Sequence, residues 1–231
     1  EILVEAAIGV GDLDELRAAC GAGSAGCELF VARALDMAAV VVGARRFAWW
    51  QAAATVLHDD LRDAERAALT LSEAVAACLS AAAEPATSST QELLGPAERS
   101  QLCDQLRRYA HEAGLRGAER LALEAWLEVA EGAALRAARL ALVDLMVASG
   151  ELADADAMAR SLAEESVAER DATMLVQALD RQIGLAQDPE TEDPALGWES
   201  IADVLALATG DPDLLAAARE ALLQRCLRGC S

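Results

Sequence analysis

Apolar residues recur at intervals of three and four along nearly the whole chain, and the strict alternation of a half-buried strand is almost absent. Broken by short Gly, Asp or Pro punctuation, the pattern predicts about a dozen helical segments and no strand. The expected fold class is therefore all-α.

One phrase recurs. Leu61 to Leu69 reads LRDAERAAL and Leu115 to Leu123 reads LRGAERLAL, with seven of nine positions identical. Looser copies start at Gly11, Gly150 and Gly210, each opening with a residue suited to ending a helix and continuing with acidic or capping residues that start another. Turns placed at 11, 60, 114, 150 and 210 are separated by 49, 54, 36 and 60 residues. A single hairpin cannot bury its apolar stripe, so the copies are expected to stack, with small residues admitting close helix approach and leucines filling the gaps.

The second-helix pattern in these phrases, a glycine before an apolar residue and small residues further along, resembles the tetratricopeptide family. Gly114, Leu115, Ala118 and Ala125 carry the resemblance, and Gly150, Leu152 and Ala155 carry it more loosely. One step, at 36 residues, lies near the family period. The family's first-helix signature, an aromatic followed by Leu-Gly and a tyrosine, is missing, and the other steps are longer. The resemblance implies stacked antiparallel hairpins, as an α-solenoid or an irregular bundle. It also implies a non-catalytic protein–protein interaction module or scaffold holding a protein or peptide in a groove, similar to the helical-repeat regions of large bacterial transcriptional activators and signalling ATPases.

Two segments interrupt the periodicity. The polar run from Glu84 to Thr90 predicts a linker at 84–96 between an N-terminal block, 1–83, and a helical-repeat block, 97–231. The run from Gln187 to Ala195 is acidic and holds two prolines, which predicts an exposed loop at 187–195 between a helix ending near Ala186 and one starting near Ala195.

Composition narrows the partners. Hydrophobic residues make up 54% of the chain and aromatics only 3%, most of the surplus being alanine, which favours closely stacked helices. All 19 basic residues are arginine, and the absence of lysine and asparagine points to a GC-rich genome. Against 39 acidic residues they leave a net charge of −20, which repels nucleic acid and anionic membranes and favours neutral or basic protein surfaces. The most apolar stretch, Ala32 to Ala44, contains Asp36 and falls short of a bilayer span, and no secretory signal order is seen at the N-terminus. A soluble, cytoplasmic protein with reduced thiols is expected, free Cys226 and Cys230 being favoured over a terminal disulfide.

Candidate chemistry is sparse. Asp59, Asp60 and Asp63 spell a DDxxD motif resembling the magnesium-diphosphate site of helical prenyl synthases, and on a helix they would share a face. That gives an alternative reading as a magnesium-dependent enzyme, set against a role for His58, Asp59 and Asp60 in the turn and cap of the next helix. His58 and His111 stand at matching places before two turns, as expected of a repeat position near a helix C-terminus. Cys20 and Cys27 lack zinc-site spacing, and the GxGxxG match from Gly21 to Gly26 follows a helical pattern. No cofactor, nucleophile or catalytic residue is expected. For partner binding the candidates are Arg45, Arg46, Arg107 and Arg108 with Trp49 and Trp50, which point about 100° apart on a helix, so that one is expected in the core and the other at an interface or under the neighbouring hairpin, with a core-filling role the alternative for each. Trp126 and Trp198 fall on other predicted helices. A third reading, a structural subunit of a larger assembly, follows from the mean hydropathy of +0.21.

Overall fold

A computed structural model of the chain describes residues 13–83, 94–188 and 194–229. Among these residues every regular element is helical, and the fold is all-α. Gly11 and Asp12, which open the first turn phrase, lie outside the described residues.

The helices divide into two compact units at Ala130 and Glu131. In the first, α1 (Leu13–Cys20), α2 (Ser24–Val40), α3 (Ala44–Thr55), α4 (Ala64–Ala83), α5 (Pro96–Ala113) and α6 (Arg116–Leu127) each pack on the next in sequence, and α4 also packs on α6. Helices α4 and α5, on either side of the expected linker at 84–96, pack against each other in this unit; residues 84–93 lie outside the described residues.

The second unit contains α7 (Gly132–Ala148), α8 (Leu152–Glu169), α9 (Ala172–Ala186), α10 (Pro194–Ala208) and α11 (Pro212–Gly229). Each helix packs on its sequence neighbour, and α7 on α9, α8 on α10 and α9 on α11 also touch. Alternate helices thus form two layers, with α7, α9 and α11 in one and α8 and α10 in the other.

The punctuation residues act as their chemistry requires. Helix α7 stops at Ala148, Gly150 turns the chain at φ 78°, and α8 begins at Leu152. Asp171 accepts the Met174 amide at the start of α9, and Asp211 accepts the amides of Asp213 and Leu214 at the start of α11. Glu98 in the first turn of α5 reaches back to the Gly95 amide, with Pro96 just inside the helix. The expected acidic loop follows a helix ending at Ala186 and precedes one starting at Pro194.

The GxGxxG match is an interhelical connection. Gly21 and Gly23 adopt φ 79° and 86° between α1 and α2, and a Cβ on Gly26 would sit 2.4 Å from the Gly21 carbonyl oxygen.

Alanine makes up much of the core. Ala155, Ala159, Ala163, Ala178, Ala208 and Ala218 in the second unit are fully buried, beside Leu162, Leu175, Leu179 and Ile183. One polar pair interrupts this apolar packing, where buried Gln182 of α9 donates to buried Ser200 of α10 at 3.0 Å. At so close a contact extra volume has nowhere to go. Ala178→Leu should destabilise the chain by about 1–3 kcal/mol, read as a lower urea midpoint at unchanged m-value.

Candidate functional site

Helix α3 does not end cleanly. Residues Val56–Asp60 form one π-helical turn, in which the Leu61 amide donates to the Val56 carbonyl at 3.1 Å and the Asp63 amide to the Leu57 carbonyl at 2.9 Å. The chain then reverses through Arg62 at φ 58°. Asp63, and not the expected Asp59 or Asp60, starts α4 by accepting the Arg66 amide at 3.0 Å.

This turn splits the aspartate motif. Asp60 pairs with Arg17 of α1 at 2.7 Å, Asp59 takes the His58 ring at 2.6 Å, and Asp63 faces Arg66 of its own helix at 3.6 Å. The shared face expected of Asp59, Asp60 and Asp63 belongs to a regular helix, and here three different partners hold them. Among the described residues no group of three or more His, Cys, Asp or Glu side chains is arranged to hold a metal ion.

His58 is the most constrained of these groups. Its ring stacks on Tyr109 at 4.1 Å between centroids, with Nδ1 on Asp59 and Nε2 on Glu112 of α5 at 2.8 Å. Only the doubly protonated ring donates to both carboxylates, and the bond to Glu112, followed by that to Asp59, raises its pKa above the ordinary histidine value against the opposing cost of burial. His111 sits differently, its side chain 78% exposed and 3.2 Å from Glu119. The two histidines occupy similar sequence places and different environments.

Of the expected partner-binding residues, Arg45 and Arg108 are exposed, Arg46 and Arg107 are half-buried, and the two tryptophans lie in the core. Trp49 and Trp50 are both buried, because α3 packs between α2 and α4 and its apolar arc is wide enough for two positions 100° apart. Phe47 packs at 5.8 Å from Trp50, and the Arg46 guanidinium lies 4.5 Å over the Trp50 ring. Arg107 pairs with Asp104, and exposed Arg108 lies over Tyr109. Gln51 of α3 pairs with Gln105 of α5, which also donates to Thr55 and Tyr109. Arg45 and Arg46 lie on α3 and Arg107 and Arg108 on α5. Trp126 is half-buried, and Trp198 is 39% exposed on α10.

In the second unit the arginines link helices. Arg139 of α7 grips Glu165 of α8 at 2.7 Å and also donates to Ser161, and Arg136 pairs with Glu169 and Asp171. Arg160 of α8 reaches Asp203 of α10, while Arg181 of α9 meets both oxygens of Asp144 of α7 at 3.0 Å. Arg225 of α11 approaches Asp180 of α9 at 3.8 Å.

The last two contacts frame a groove of about 370 Å³ on the layer made by α7, α9 and α11. Asp144 and Val147 form one wall, Arg181, Gly184 and Leu185 the floor, and Asp188 and Arg225 the rest of the rim. Sequence reading missed it, since its members are spread over nearly the whole unit and only the turn phrases hinted which helices would be neighbours. Its volume lies at the lower end of the range for ligand pockets. Compared with protein-family profiles and with curated proteins, the chain matches none.

Cys20, Cys27, Cys78 and Cys103 are free, Cys20 half-buried and the others buried; burial raises the Cys20 and Cys78 thiols and pushes Cys103 up to about 12. Cys230 and the side chain of Cys226 lie outside the described residues.

Because His58 titrates at a higher pH folded than unfolded, its two ion pairs stabilise the fold fully below the unfolded value of about 6.5 and are lost as pH rises through the folded value. His58→Gln should therefore lose stability mainly near pH 5.5–6, by about 1 kcal/mol per pair at most given the exposed carboxylates, with the gap from wild type closing at alkaline pH in thermal melts.

Proposed function

We propose that this chain is a cytoplasmic, non-catalytic interaction module of the helical-repeat kind, and that it holds a protein or peptide segment in the groove of its second unit. The observation that carries this reading is the groove itself, which three alternate helices wall and interhelical ion pairs brace. Such a surface presents a fixed shape to an extended or helical segment at little cost in ordering the module.

The net charge of −20 supports a neutral or basic partner through the long-range field. Four free thiols support the cytoplasmic setting. No helix among the described residues is long and apolar enough to cross a membrane.

Peptides selected from a displayed library against the whole chain provide the test. Val147, half-buried on the groove wall, can be enlarged without entering the fully buried core. Val147→Trp should weaken capture of the selected peptides by about tenfold or more in fluorescence anisotropy while thermal unfolding shifts by only a few degrees, and binding should fall as salt is raised. Equal binding by wild type and variant would reject the groove.

A further inference from the structure

The groove is negative on balance. Its lining sets Asp144, Asp180 and Asp188 against Arg181 and Arg225, so three carboxylates meet two guanidiniums. The whole chain carries −20. An entering anion is thus repelled by the lining and by the long-range field, and an entering cation is attracted by both.

Asp144 is the carboxylate open to that cation. Arg181 donates Nε to one of its oxygens and Nη2 to the other, each at 3.0 Å. An ionised carboxylate offers about four acceptor sites, so about two remain. The Asp144 side chain is 54% exposed, which leaves them within reach of a ligand. Because Arg181 already fixes the carboxylate, binding costs it no further rotamer freedom. Val147 stands three residues on along α7, on the same wall, and adds an apolar step beside the acceptor.

We propose that the groove takes an arginine from a basic segment of another protein, its guanidinium on the acceptor sites of Asp144 that Arg181 leaves free and its methylene stem along Val147. The proposal rests on the groove reading above and names the occupant. Arginine fits better than lysine because a guanidinium is more weakly hydrated than an ammonium and loses less on leaving water. Its stem covers apolar surface while the charged head stays at the rim. The same field disfavours a second copy of this chain, which carries −20 as well.

Side-chain carboxyl carbon resonances of the full chain report the contact directly. Acetyl-Gly-Arg-Gly-amide is the probe, acetyl-Gly-Lys-Gly-amide carries the ammonium, and acetyl-Gly-citrulline-Gly-amide keeps the shape without the charge. Asp36, 68% exposed in the first unit and likewise paired with an arginine, controls for non-specific attraction to an acidic protein. At millimolar concentration the arginine peptide should shift the Asp144 signal saturably and that of Asp36 without saturation. The lysine peptide should bind severalfold more weakly and the citrulline peptide not at all. Asp144→Asn should weaken the arginine peptide by about tenfold, as loss of a charged acceptor requires, while Asp36→Asn, which removes the same charge elsewhere, leaves binding unchanged. Peptides selected from the displayed library should be enriched in arginine.

No saturable shift at Asp144, equal binding of the citrulline or lysine peptide, undiminished binding in Asp144→Asn, or selected peptides without an excess of arginine would each overturn the arginine occupant. The comparison of the three peptides on the wild-type chain decides the matter even where Asp144→Asn does not fold. If Val147→Trp blocks the selected peptides while the arginine peptide leaves Asp144 unmoved, the occupant is wrong and the groove stands. If Val147→Trp has no effect, the groove itself fails.

Discussion

Close approach of helix to helix, made possible by alanine at the contact points, is the constraint on which everything else depends. Fully buried alanines occur on helix after helix: Ala34 on α2, Ala53 on α3, Ala67 on α4, Ala110 on α5, Ala122 on α6, Ala155 on α8, Ala178 on α9 and Ala218 on α11. Each buries little apolar area, so stability is spread over many short-range contacts, while Leu71, Leu106, Leu162 and Leu179 supply the larger increments. Most of the scarce aromatics are drawn inward, both tryptophans of the α3 pair among them.

Close packing leaves the polar side chains at the edges of each contact, and there the arginines take their places. In a chain with twice as many acids as bases, a guanidinium readily finds a carboxylate on a facing helix. Arg66 meets both oxygens of Glu28 from α4 to α2, and Arg139, Arg160 and Arg181 do the same work in the second unit. The excess of acids leaves the chain strongly negative, at −20. An arginine lacking a well-matched partner, as Arg225 is, stands out against that background.

Fold class was legible because the 3.6-residue apolar period dominates the chain and strand alternation is missing. Several helix ends were legible too, since Gly150, the turn phrase at Gly210 and the prolines of the 187–195 run act through local chemistry. What escaped depends on context. The phrases at Leu61 and Leu115 share most of their residues, yet Gly114 turns at φ 70° directly after α5 and lets α6 start at Arg116, while the first copy, with Asp60 in that place, runs through a π-helical turn and delays α4 to Ala64. The aspartate motif dissolved for the same reason. Burial of Trp49 and Trp50 follows from helices on two sides of α3, and the groove from residues as distant as Asp144 and Arg225, neither of which a local pattern contains.

The contacts between alternate helices of the second unit bear on how it comes apart. A stack held only by neighbours can lose its last helix without disturbing those further in. Here Arg225 ties α11 to α9 past α10, Arg160 ties α10 to α8, and Arg181 ties α9 to α7. Each helix removed from the end therefore breaks bonds to two others at once. Such coupling beyond the nearest neighbour favours unfolding of the unit in one cooperative step over the loss of single helices.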